Sequence, residues 1–136
     1  MVKVIVGGKG SGKTARLVDD LNMQAMNESS NVVCIEAGRR LDQLVKYKIR
    51  LVDITEYPVK GYKELLSFIA GISAKDYDLT HVYIDSILKI SGDHDFEHLE
   101  TFLADLGQFT EKNNFSVMII LSADPQELPE SLLAYC

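Results

Sequence analysis

The chain has 136 residues, 46% of them hydrophobic and 25% charged, with 14 Lys/Arg against 20 Asp/Glu and a formal net charge of −6. That length suits a single domain over residues 1–136 and leaves no room for a second, and the acidic balance gives no charge argument for a nucleic acid partner. No apolar run approaches the ~20 residues of a membrane span, and Cys34 and Cys136 do not make a disulfide framework, so a soluble protein of the reducing cytoplasm is expected, with no membrane association.

Val2, Val4, Ile5 and Val6 read as a buried parallel strand. It runs directly into Gly7-Gly8-Lys9-Gly10-Ser11-Gly12-Lys13-Thr14, which fits G-x-x-x-x-G-K-[ST], the phosphate-binding loop of nucleoside triphosphatases. Glycines free the backbone to point successive N–H groups at an anion, Lys13 adds a point charge, and the Thr14 hydroxyl is placed for Mg²⁺. A helix from Lys13 to Met26, with Leu17, Val18, Leu21 and Ala25 on its apolar face, turns its positive dipole end to the same phosphates. The alternative is a glycine-rich β-to-α turn that binds nothing; the strand before the motif and the amphipathic helix after it favour the phosphate loop. Charge follows the same division, since residues 1–50 hold nine Lys/Arg against five Asp/Glu and residues 51–136 hold five against fifteen.

The next apolar run, Val32 to Ile35, ends in Glu36, and the short segment Gly38 to Tyr47 is expected to be helical. A strand from Arg50 to Ile54 and a helix from Tyr62 to Ile72 follow. His81-Val82-Tyr83-Ile84-Asp85-Ser86 is a strand ending in an acid, with Asp85 placed to complete a Mg²⁺ shell with Thr14; a helix N-cap explains the same residue. His94, Glu97 and His98 spell H-x-x-E-H, a zinc-peptidase spacing, but they fall where a loop enters the helix Phe96 to Thr110 and no third ligand is evident. The last strand, Val117 to Leu121, leads into Ser122-Ala123-Asp124. Alternating β and α elements of this kind predict an α/β fold, a three-layer α/β/α sandwich on a mainly parallel sheet of about five strands, with ligands bound beyond the carboxyl ends of the strands.

The order of the phosphate loop, Cys34-Ile35-Glu36-Ala37-Gly38-Arg39-Arg40-Leu41-Asp42, Ile84-Asp85-Ser86, and Asn113-Asn114-Phe115-Ser116 running into Val117 to Ser122 resembles the ATPase core of the RecA-like P-loop superfamily. The resemblance covers most of the chain. It implies the P-loop nucleotide-binding fold, with the Val117 to Leu121 strand between the phosphate-loop strand and the Asp85 strand. ATP with Mg²⁺ is the implied ligand, and a homo-oligomer or a protein partner the implied setting. The family's water-orienting Glu aligns with Gly38, and its γ-phosphate-sensing Gln with Ala123. Both departures point to slow hydrolysis. Glu36, two residues before Gly38, is the substitute candidate for orienting the water, beside Lys13 as the other catalytic residue and Asp124 as a second substitute. Arg39 or Arg40 could serve as an arginine finger across a subunit interface, the alternative being solvated arginines at the start of a surface helix.

These observations predict an ATP·Mg²⁺-binding domain with weak or partner-activated ATPase activity. One alternative is a non-hydrolysing, nucleotide-gated switch or assembly subunit. A small phosphotransferase is the other, although no arginine after Arg50 is present to build a closing lid.

Overall fold

The computed structural model of the protein describes residues 1–46 and 48–136. In chain order the elements are β1 (Val2–Gly7), α1 (Lys13–Ala25), β2 (Val32–Glu36), β3 (Arg50–Asp53), α2 (Gly61–Lys75), β4 (His81–Ile84), α3 (Ile87–Ser91), α4 (Phe96–Asn113), β5 (Ser116–Ser122) and α5 (Glu130–Leu133). The strands form one 5-stranded sheet in the order β1-β5-β4-β2-β3, and every neighbouring pair is parallel. This is the expected α/β class. β5 lies between β1 and β4, the order that the RecA-like resemblance implies.

Side chains of a strand point alternately to the two faces of a sheet, and here both faces are apolar. Val33 and Ile35 of β2, Val82 and Ile84 of β4, and Val117, Ile119 and Leu121 of β5 enter one core, together with Leu65 and Ile69 of α2 and Leu99, Leu103 and Leu106 of α4. Their neighbours Cys34, Tyr83 and Ile120 enter the other, with Leu17, Leu21 and Ala25 of α1 and with Leu41 and Ile49. Leu17 and Leu21 are fully buried. At about 1.5–3 kcal/mol for each such side chain, they hold α1 firmly to the sheet, and with it the glycine-rich loop that precedes it.

Helix boundaries follow local chemistry. α4 starts where Asp95 Oδ1 accepts the N–H groups of Glu97 and His98, and it stops at Asn114, whose left-handed φ of 55° ends the helical path. α2 runs past Ile72 to Lys75. β3 gives way to a 3₁₀ turn at Ile54–Glu56 because the Asp53 carboxylate takes the Thr55 N–H.

The helix expected over Gly38 to Tyr47 is not formed by its described residues; Tyr47 itself lies outside them. Gly38 adopts φ 91°, Glu36 Oε1 accepts from the N–H groups of Arg40 and Leu41, and Leu41 is sunk in the α1-side core. The segment is thereby held as a loop, with a single turn in which the Leu41 carbonyl accepts from Leu44 and Val45.

Candidate functional site

In a parallel sheet all carboxyl ends meet at one edge, and the register shows which residues meet. Gly7 pairs with Ser122, Ile84 with Ile119 and with Ile35, and Glu36 with Asp53. The phosphate-loop motif, Ser122-Ala123, Asp85 and Glu36 therefore leave the sheet side by side. The Ala123 N–H donates to the Gly7 carbonyl at 3.1 Å, which ties the end of β5 to the start of the loop.

The loop has two requirements for glycine. A Cβ on Gly7 would stand 2.6 Å from Ser11 Oγ, and Gly10 and Gly12 lie at φ 78° and 82°, a region that side chains disfavour. Gly12 also occupies the N-cap of α1 with no side-chain cap bond. Consequently the N–H groups of Gly10, Gly12, Lys13 and Thr14 donate to no acceptor among the described residues. Lys13 is nearly buried, and its Nζ folds back to donate to the Gly8 carbonyl at 2.7 Å and to Ser11 Oγ at 3.3 Å. A cation and a row of free donors thus belong to one short loop, and Gly10, Lys13 and Thr14 line the same cleft, an arrangement that suits an anion.

Asp85 follows β4 and is fully buried. Its Oδ2 accepts from the Arg40 guanidinium at 2.9 Å, while its Oδ1, also buried, has no partner among the described residues. The N-cap of α3 is Ser86, in the left-handed region at φ 66°, and the Asp85 carboxylate accepts no backbone N–H. The N-cap explanation of Asp85 is therefore removed. A non-glycine residue held at positive φ beside a buried acid is the kind of local strain that gathers at binding sites.

Glu36 is fully buried as well, but its surroundings differ. One oxygen is engaged by the Arg40 and Leu41 N–H groups at 2.9 and 3.1 Å, and Oε2 is unpartnered. Burial raises its pKa, the two N–H donors oppose that, and Asp42 and Asp53 add to it. The same two acids flank a small hollow of about 200 Å³ beside Glu36, on the β3 side of the edge. Glu36 therefore organises the loop that carries Arg40, and the structure does not bring it to the walls of the cleft at the phosphate-loop motif. Burial and the nearby Glu36 and Asp85 charges also push the Cys34 thiol far up, which leaves it an inert core residue.

That cleft has a volume of about 480 Å³ and is lined by Lys9, Lys13, Thr14, Arg40, Lys89, His94 and Ser122 with the apolar Leu88 and Ile120. Lys89 is an addition to the residues read from the sequence, and Arg40 and His94, read there as a candidate arginine finger and as part of an H-x-x-E-H spacing, take a place in this cleft instead. Arg40 was legible only as one of two arginines after a strand end, and Lys89 sits on a five-residue helix too short to show periodicity. Arg39, by contrast, pairs with Glu56 at the surface. His94 and His98 do not converge: His94 faces the cleft, whereas His98 pairs with Asp93 at 2.7 Å and borders a separate hollow between α2 and α4. Among the described residues no helix is long and apolar enough to cross a membrane.

Comparison with protein-family models gave no match, and comparison with the curated proteins gave none.

Proposed function

We propose that the chain is a nucleoside triphosphate-binding domain of the P-loop type, taking ATP with Mg²⁺ and hydrolysing it slowly or only with a partner. The observation that carries this reading is the loop from Gly7 to Thr14, where N–H groups are left unengaged and Gly10, Lys13 and Thr14 line one cleft with Lys9. Lys13 would exchange the Gly8 carbonyl for a phosphate oxygen, a stronger, charge-assisted contact. The N–H groups at the start of α1 would bind the same polyanion with the helix dipole behind them.

The residues present fit a hard divalent cation. Asp85 offers a buried carboxylate oxygen with no protein partner, and the Thr14 hydroxyl lines the adjoining cleft. When bound, Mg²⁺ would offset the charge of the β- and γ-phosphates. Ser122 and Thr14 present hydroxyls to the cleft, but Ala123, tied to Gly7, presents no polar group that could sense a γ-phosphate. Positioning supplies much of the rate in phosphoryl transfer, so this composition favours binding over turnover. Ala123 likewise favours the second reading, a nucleotide-gated switch whose hydrolysis is incidental.

The test is thermal unfolding with ATP, ADP or AMP, each with Mg²⁺. A ligand at a hundredfold excess over its Kd stabilises by about 2.7 kcal/mol, which for a chain of this size is a rise of several degrees. ATP should give that rise and AMP should not. No response to any nucleoside triphosphate would sink the proposal.

A further inference from the structure

We propose that Arg40 is a latch on Asp85 that metal-bound nucleotide must open, so that the empty protein carries its own cation where the divalent metal would bind. The inference rests on the phosphate-loop reading above and adds a gating residue to it. Asp85 is fully buried, and a buried carboxylate is costly unless a cation and hydrogen bonds satisfy it. Arg40 satisfies only half of it, at 2.9 Å to Oδ2, leaving Oδ1 buried and unpartnered. A finished structural ion pair would engage both oxygens; this one leaves a hard oxygen ligand free, on a residue whose partner Arg40 and chain neighbour Ser86 line the cleft with Lys13 and Thr14.

The two ends of Arg40 are held differently. Its backbone N–H is fixed by Glu36 Oε1 at 2.9 Å, and the next residue, Leu41, is anchored in the core. Its side chain is 52% exposed. The Cα is therefore a fixed pivot and the guanidinium can swing into water at little packing cost. A guanidinium on Oδ2 and a divalent cation on Oδ1 of one buried carboxylate repel each other across a few ångströms, and in this proposal that repulsion couples metal entry to release of Arg40. In the empty protein the pair keeps Asp85 compensated, and the phosphates, once bound, offer the released arginine a bidentate alternative.

The experiment compares ATP affinity with Mg²⁺ and with EDTA in the parent, in Arg40→Ala, in Arg40→Gln and in Arg40→Ala combined with Asp85→Asn. The ratio of the two dissociation constants measures what Mg²⁺ adds. Removing the latch should raise that ratio at least tenfold in Arg40→Ala, with Arg40→Gln in the same direction, and the gain should vanish in the double variant. Unfolding without nucleotide gives an independent readout: Arg40→Ala should lower the melting temperature by leaving Asp85 unpaired, and adding Asp85→Asn should restore it. A ratio unchanged or lowered in both single variants overturns the latch while leaving nucleotide binding intact. Failure of the parent to bind ATP with or without Mg²⁺ overturns the phosphate-loop reading and the latch together. If Arg40→Ala does not fold, Arg40→Gln, which keeps a donor for Asp85, decides by the same ratio.

Discussion

Glu36 Oε1 lies 2.9 Å from the Arg40 backbone nitrogen, and through that bond a fully buried carboxylate sets the Cα from which the Arg40 guanidinium reaches Asp85. Glu36→Ala should strand two N–H donors and lower stability by about 2–4 kcal/mol, read by denaturant unfolding. Glu36→Gln keeps the acceptor and should cost far less. Burial holds the Glu36 pKa above its ordinary 4.5, so the folded protein takes up this proton before the unfolded chain does. Its contribution to stability therefore grows as the pH falls through the raised value toward the ordinary one. The parent should gain stability relative to Glu36→Gln as the pH is lowered from neutral toward 4.5; a difference that shrinks as the pH is lowered contradicts the burial of this charge.

Slow turnover is the second expectation. With Gly38 and Ala123 at the positions where water-orienting and phosphate-sensing residues are expected, and with Glu36 committed to the backbone of its own loop, phosphate release by the purified protein should fall well below the ~10 s⁻¹ typical of enzymes. Any residual rate should survive Glu36→Gln within about threefold, which is less than 1 kcal/mol in barrier. A tenfold loss in that variant would return Glu36 to the reacting water.

The glycines of the loop should separate cleanly by backbone angle. Gly12 sits at φ 82°, whereas Gly8 has an ordinary φ and open space where a Cβ would go. In nucleotide-free protein, Gly12→Ala should cost about 1–2 kcal/mol and Gly8→Ala close to nothing, as thermal unfolding can measure. Equal costs would mean that the loop does not hold the left-handed turn at the head of α1.

Much of this architecture was legible because strands buried on both faces leave continuous apolar runs, and the runs beginning at Val2, Val32, Arg50, Val82 and Val117 are the five strands. α4 was legible from the spacing of Leu99, Leu103 and Leu106. The Gly38 to Tyr47 segment misled because its pattern of apolar and charged residues resembles a helix, while the Glu36 carboxylate, from outside the segment, captures the N–H groups of Arg40 and Leu41. The phosphate-loop motif is contiguous and could be read directly. The Arg40–Asp85 pair spans 45 positions of sequence and exists only because β2 and β4 are neighbours, so no local pattern announces it. α3 and α5, with five and four residues, are too short to carry a periodic signal.

Nucleotide binding through Lys13 is the central claim, and calorimetric titration of ATP with Mg²⁺ into the parent and Lys13→Ala proteins tests it most directly. The Lys13 ammonium donates to the Gly8 carbonyl and to Ser11 Oγ within its own loop, charge-assisted contacts of about 1.5–3 kcal/mol whose loss leaves both apolar cores untouched, so the variant should stay folded. Its loss should weaken ATP binding by about 1.5–3 kcal/mol, a factor of roughly ten to more than a hundred. Parent binding together with that loss in a folded variant is the predicted result. Equal affinity in the two proteins, or none in the parent, would contradict it.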